Sequence, residues 1–484
     1  MELEDLVPGV LLPGFAGPVV PEWLRAELER GLGGVCLFAG NVDAADPDGT
    51  ARLAAAIRAV RPDVLVAADE EGGVVTRLEG REGSTLPSPA QLGLVAPEVA
   101  ERVGAVLAER VHRAGIDLVL APSADVNDNP GNPVIGARSF GADPHEVASR
   151  VAATVRGIRS RRGVAACVKH WPGHGDTDVD SHRGLPTIPA ATAARHAEPF
   201  EAAIAARVPA VMTAHIVVPE WGPEPVTVNP DAIGRLRAAG FDGVVVTDAV
   251  DMAAIAATYG IGGGAARALA AGADLVCLGN PELSGIDAAG QYAEVVDAIV
   301  EAVHDGRLTP ERLREAHRRV ARLAAETSAA RASESGDAAV AVDPADVEAI
   351  EAALAAASDP SALAGLARIV RVVDARGGAT QAAATRAVPV ADTLRALAGG
   401  GNGDASSRSS LSTSASGASL TAVVADRPSA VQLGVLADAQ AAGECIVVNV
   451  GAIPGGFDAA VVQLGADSVF SAGIVRTWAA KGGR

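Results

Sequence analysis

Between Lys169 and His182 the chain packs one lysine, three histidines and three aspartates into fourteen residues, Lys169-His170-Trp171-Pro172-Gly173-His174-Gly175-Asp176-Thr177-Asp178-Val179-Asp180-Ser181-His182. The apolar run from Gly163 to Val168 before it reads as a buried strand. Neither a helical nor a strand period continues through the segment, and burying unpaired charge is prohibitively costly. The expectation is therefore a loop outside the core. The whole chain has only two lysines, Lys169 and Lys481. A lysine kept here, where arginine otherwise does the cation work, points to a compact ammonium at a place that a planar fork does not fit.

Asp180 and His182 stand two apart, on one side of an extended loop. A carboxylate accepting from one imidazole nitrogen fixes the tautomer and raises the basicity of the other, which makes a general acid/base near neutral pH. Metal binding is the rival reading, because Asp176, Asp178 and Asp180 alternate as in a calcium loop. The sixth position is Ser181 rather than glycine and the twelfth is Thr187 rather than glutamate, so that pattern fails and no metal is expected. Asp248 ends the run Phe241-Asp242-Gly243-Val244-Val245-Val246-Thr247, placed as a nucleophile or an ion-pair partner; capping the next helix is the bland alternative. Asp251 suits a cap or first helical turn. Arg138, in the Pro/Gly-rich stretch Asn132–Gly141, and Arg77 are candidates for substrate binding, against salt bridges that merely order their loops. His215 reads as a structural histidine, and His112, His145, His196, His304 and His317 as solvated ones.

Something must hold these groups together. Short apolar runs at Val7–Phe15, Gly34–Phe38, Val64–Ala68, Leu118–Ala121, Val164–Val168, Ala210–Thr213, Gly243–Thr247 and Ala273–Leu278 alternate with helical patterns such as Ala51–Val60, Glu98–Arg113, His145–Arg159, Ala191–Ala206 and Gln291–His304. Runs without period-two alternation suit strands buried on both faces of a parallel sheet. Eight of them with intervening helices predict an α/β chain whose first part is a (β/α)8 TIM barrel, with chemistry on the loops after the strands. Asp69-Glu70-Glu71-Gly72-Gly73, Lys169-His170, Thr213-Ala214-His215 and Thr247-Asp248 all fall at that end. The barrel domain is expected over residues 1–327 and a linker over 328–343. A smaller C-terminal α/β domain follows over 344–484, with strands near Ala367–Val373, Thr421–Ala425, Cys445–Val450 and Ala459–Leu464. Its Gly/Ser-rich stretch 399–419 reads as a disordered loop.

The 484 residues carry a net charge of −19, which argues against nucleic acid as a partner. No apolar run reaches membrane-spanning length and the N-terminus lacks a basic leader, so no membrane association and a cytoplasmic location are expected. Cys36, Cys167, Cys277 and Cys445 sit in apolar runs and read as reduced packing thiols.

The Lys169–Thr177 sequence followed by Asp180-Ser181-His182 resembles the signature loop of glycoside hydrolase family 3, in its β-N-acetylglucosaminidase branch. Asp69–Gly73 with Arg77, Val134–Gly141 and Phe241–Met252 resemble further blocks of that family, in its order, across roughly residues 5–325. Val74 departs from the arginine common there, and Trp171 from the usual phenylalanine. The resemblance implies Asp248 as nucleophile and Asp180–His182 as acid/base, with Asp69, Arg77, Arg138, Lys169 and His170 holding the sugar. It further implies a retaining, exo-acting enzyme that removes terminal β-N-acetylglucosamine from peptidoglycan fragments or chito-oligosaccharides, a small carbohydrate substrate and no cofactor. Histidine is neutral as a base, and Lys169 and Arg138 suggest a locally positive field, so inorganic phosphate as co-substrate, giving a sugar 1-phosphate, is an alternative to hydrolysis. Side activity on β-glucosides is another. In the β-glucosidase branch the acid is a C-terminal glutamate, and after Glu351 this chain has only Glu444. A catalytically inactive sugar-binding barrel is the remaining alternative.

Overall fold

The structure, a computed structural model, describes residues 4–42, 46, 48–181, 183–333, 340–376, 389–398, 420–453 and 457–482. Eight short strands come first: β1 (Leu11–Leu12), β2 (Gly34–Leu37), β3 (Leu65–Ala68), β4 (Leu118–Val119), β5 (Ala165–Trp171), β6 (Ala210–Thr213), β7 (Val244–Thr247) and β8 (Val276–Cys277). β2 to β7 pair in parallel in chain order, and β1 pairs with β8. Backbone bonds close the curl into a barrel: Cys36 N donates to Pro13 O (2.9 Å), and Thr247 N to Leu275 O (3.0 Å). Alternate side chains, among them Cys36, Ala67, Leu120, Cys167, Met212 and Val246, fill the interior. Their neighbours Val35, Val66, Val119, Val168, Val211 and Val245 pack outward in the helix-facing core. Both faces are buried, which is why the runs lack alternation.

The helix Pro310–Ser333 crosses the barrel at the end where the strands begin. Val320, Leu323 and Ala324 plug the interior. Arg312 reaches Asp274, ahead of β8, at 2.5 Å, and Arg331 reaches Asp117, ahead of β4, at 2.7 Å. This helix continues into the first residues expected as linker. The stretch expected as one helix over Ala191–Ala206 is two, Ala190–Arg195 and Glu198–Ala205. Pro199 has no N–H to give to Arg195, so the ladder stops there.

The C-terminal part is a four-stranded parallel sheet in the order β12-β11-β10-β9, with β9 Ile369–Asp374, β10 Leu420–Ala425, β11 Cys445–Asn449 and β12 Val461–Gln463. The Gly/Ser-rich stretch 399–419 lies outside the described residues. Buried polar bonds join this sheet's surroundings to the barrel: Gln91 Nε2 donates to Leu464 O (2.7 Å) and Ser471 Oγ (2.9 Å), and Ser88 Oγ to Gly465 O (2.9 Å). Among the described residues no helix is long and apolar enough to cross a membrane.

Candidate active site

The strand C-termini open into a cavity of about 310 Å³ lined by Asp69, Glu71, Arg77, Arg138, Lys169, His170, His174, Ser181, Asp248 and Asp251, over a base that includes Cys36, Leu120, Met212 and Cys277. That is the lower end of the range for small-molecule pockets, about 300–1,000 Å³.

Lys169 and His170 are not in a solvated loop, as expected from their polarity. β5 runs through them to Trp171, and both side chains are buried. The charge is tolerable because it is paired. Lys169 Nζ lies 2.6 Å from Asp69 and 2.6 Å from Glu71. Glu71 also takes both arms of Arg138, Nε at 2.9 Å and Nη2 at 2.8 Å, and Arg77 Nη2 donates to Asp69 at 3.0 Å. A branched acceptor on each side of one ammonium suits lysine and leaves no room for a second fork.

The electrostatics follow from this cage. Burial alone pushes the Asp69 carboxyl up, but Lys169 and then Arg77 outweigh it and hold the group well below the usual carboxylate range. Burial likewise opposes ionisation of Glu71, and Arg138 with Lys169 brings it down to about 2. Lys169 is raised, because Asp69 and Glu71 overcome its desolvation. The neighbouring Glu70 goes the other way. It is buried, no cation among the described residues pairs with it, and desolvation lifts it to about 7 although Oε2 accepts from Arg77 N (2.7 Å) and Leu78 N (3.1 Å).

A second buried acid organises the next layer. Asp125, after β4, accepts from His170 Nδ1 at 2.7 Å and from His174 N at 2.7 Å. Burial raises it, His170 outweighs burial, and the result lies well below the ordinary range. His170 Nε2 stands 3.3 Å from Arg138 Nη2, so one ring touches both the buried acid and the arginine of the cavity wall. Asparagine side chains build the loop that carries Arg138: Asn132 Oδ1 accepts from Val134 N and Ile135 N, and Asn127 Oδ1 from Gly136 N. Gly73, at φ +58°, is a position where a Cβ collides with Ser88, so the Glu71 turn packs directly on the segment gripped by the C-terminal sheet.

Asp248 follows β7 at the cavity wall and is half-buried. Its backbone N donates to Thr213 O (3.1 Å), and its Oδ1 accepts from Ala249 N (2.8 Å). The following helix starts only at Ala253 with Met252 at its cap, so Asp248 does not cap it. Asp251, expected in that first turn, lines the cavity instead. His215, fully buried, ties this loop down with Nε2 to Ala249 O (2.8 Å) and Nδ1 to Thr227 Oγ1 (2.8 Å). Asp180 is half-buried, and its carbonyl accepts from Arg183 N (2.8 Å) and Gly184 N (3.1 Å) in a turn. His182 lies outside the described residues.

The fold thus brings Asp69, Arg77, Arg138, Lys169, His170 and Asp248 to one cavity. Sequence reasoning passed over Glu71, Asp125 and His174, although each sits in a polar stretch at a strand C-terminus. Two other expectations change. His196 is buried rather than solvated, because Gly173 lies against its ring and Asp128 meets Nε2 at 3.3 Å. The expected positive field is absent: among the described lining residues three cations, Arg77, Arg138 and Lys169, face four carboxylates, Asp69, Glu71, Asp248 and Asp251. Glu444 is exposed, pairs with Arg368 at 3.1 Å, and precedes β11. Arg427, which touches the barrel through Pro133 O, follows β10 at the opposite end of the sheet.

Residues 20–323 match the N-terminal domain of glycosyl hydrolase family 3. The chain belongs to glycosyl hydrolase family 3. A β-hexosaminidase of Stenotrophomonas maltophilia (strain K279a) is 38% identical over 292 residues, 57% of this chain and 84% of that protein. A family 3 β-N-acetylglucosaminidase structure from Paenibacillus sp. str. FPU-7 superposes with TM-score 0.77 at 26% identity, over 98% of this chain and 96% of its own. The β-N-acetylhexosaminidase structure from Beutenbergia cavernae DSM 12333 gives TM-score 0.60 at 28% identity, over 67% of this chain and 99% of its own. This family 3 chain is accordingly a glycoside hydrolase.

Proposed function

We propose that the protein is a retaining, exo-acting β-N-acetylglucosaminidase that hydrolyses terminal β-N-acetylglucosamine from chito-oligosaccharides or peptidoglycan fragments. The observation that carries this reading is a small pocket, closed at its base, whose ion-paired wall stands beside Asp248 just after β7. The names of the relatives support the sugar.

Asp69, Arg77, Arg138, Lys169 and His170 meet the sugar hydroxyls and N-acetyl group with donors and acceptors whose geometry is set before binding, so little reorganisation remains at the moment of reaction. Asp248 attacks the anomeric carbon and forms the glycosyl-enzyme, while His182, oriented by Asp180, protonates the departing oxygen. The same imidazole then takes a proton from the incoming acceptor. Water is the acceptor favoured here, because the pocket's cations are already matched by carboxylates and offer an anion no net attraction.

Initial rates on nitrophenyl β-N-acetylglucosaminide and β-glucoside, each with and without phosphate, test this. The expected result is preferential cleavage of the N-acetylated sugar, unchanged by phosphate and yielding free sugar. Equal turnover of the glucoside refutes the specificity, and a sugar 1-phosphate product refutes hydrolysis.

A further inference from the structure

His174 is a buried polar group that the mechanism above does not use. It sits where three segments meet. Its N–H donates to Asp125, its carbonyl accepts from Asn132 Nδ2 (2.9 Å), and its ring spans Thr177 and Ser181, with Nδ1 to Thr177 Oγ1 at 2.7 Å and Nε2 to Ser181 Oγ at 3.1 Å. The proton assignment is determined by accounting. Thr177 Oγ1 gives its only proton to His174 O (3.0 Å), so it accepts from His174 Nδ1–H. Nε2 of the neutral ring is then a lone pair, and the Ser181 hydroxyl donates to it. Burial and, next, His170 keep this imidazole neutral by lowering it to about 4. Ser181 is itself buried, lines the cavity and lies in the chain between Asp180 and His182.

We propose that His174 is a positioning residue, a fixed acceptor that latches the acid/base turn to the sugar-binding wall through Ser181. This deepens the proposed function and rests on its assignment of Asp180–His182. The path is continuous: Arg138 to His170, His170 to Asp125, Asp125 to the His174 backbone, and the His174 ring to Ser181. The groups that grip the sugar and the turn that moves the proton share one buried acid as their reference point.

The latch affects proton delivery and leaves sugar binding alone. Ser181→Ala is therefore expected to lower kcat about tenfold on substrates with poor leaving groups, the scale of one buried hydrogen bond. The glycosylation step on dinitrophenyl substrates, which depart without protonation, and the inhibition constant for free N-acetylglucosamine stay within about twofold. Ser181→Thr keeps the hydroxyl and is expected to recover most of the loss. Ser181→Cys, near-isosteric but a much weaker donor, carries the alanine expectation should that variant fail to fold. His182→Ala is measured alongside. A selective His182→Ala with a non-selective Ser181→Ala overturns the latch alone. A His182→Ala that impairs all leaving groups equally overturns the acid/base reading and the latch with it.

Discussion

Two adjacent glutamates, Glu70 and Glu71, are expected to respond to the same isosteric change with opposite signs. Glu71 falls from 4.5 to about 2, because Arg138 and Lys169 more than offset its burial. A lowered carboxyl contributes stability that is fully present above its unfolded value near 4.5 and is lost as pH falls through about 2. The difference of about 2.5 units, at about 1.4 kcal/mol each, is about 3 kcal/mol. Glu71→Gln keeps the shape, leaves Lys169 and Arg138 short of one countercharge, and is expected to cost about 3–5 kcal/mol at pH 7, shrinking by about 2 kcal/mol at pH 3. Glu70 rises from 4.5 to about 7 through desolvation. Its ionised form burdens the folded state, a cost that grows as pH climbs from 4.5 and levels off above 7. Glu70→Gln keeps an oxygen for Arg77 N and Leu78 N and is expected to gain about 3 kcal/mol at pH 8 and close to nothing at pH 4.5. Urea midpoints at constant slope, for the parent protein and the two variants at pH 3, 4.5, 7 and 8, give the comparison. Equal losses in both variants, or a Glu71→Gln cost below about 1 kcal/mol that does not vary with pH, would refute the charge accounting.

Asp248→Ala is expected to fold normally by circular dichroism and to retain under about 1% of turnover, the loss expected when a covalent step is removed; a tenth of wild-type activity would reassign the nucleophile. In His182→Ala, azide, which needs no base, is expected to restore turnover of activated substrates and to give glycosyl azide; no azide product would move the acid/base role elsewhere. Exhaustive EDTA treatment is expected to leave kcat unchanged, and recovery with calcium or zinc after a loss would revive the aspartate-loop metal reading. A chain ending at Ser333 is expected to keep activity on aryl glycosides, because the family match spans residues 20–323 and the Beutenbergia structure, covered over 99% of its length, corresponds to only 67% of this chain. It is expected to be less stable, since Gln91 and Ser88 lose their hydrogen bonds to the C-terminal part, at about 0.5–1.5 kcal/mol net for each bond. A folded but inactive barrel would show that the second sheet completes the site.

The eight barrel strands were legible because burial on both faces leaves a plain mark, an apolar run such as Gly243–Thr247 ended by a polar residue. The site was legible where function concentrates unlike residues in one segment, as from Lys169 to His182. What the sequence hid was pairing at a distance. Lys169 and Glu71 lie far apart in the chain, and nothing local to either says that they meet inside the barrel. The burial of Lys169 was therefore misjudged as exposure, and Glu71 and Asp125 were passed over. His196 was misread for the same reason: its charged helical neighbourhood gave no sign of Gly173 lying on the ring.

The helix Pro310–Ser333 has a consequence for traffic. Its Val320, Leu323 and Ala324 join Cys36, Met212 and Cys277 in one packed column, and the last three also form the base of the cavity. Among the described residues the barrel is a cup, packed at its base and open where the strands end. Whatever binds deepest enters first and leaves last: the severed portion departs through the mouth, the attacking water follows it in, and the trapped sugar exits only afterwards. Under the proposed reaction the liberated monosaccharide thus competes directly with fresh substrate for the same entrance.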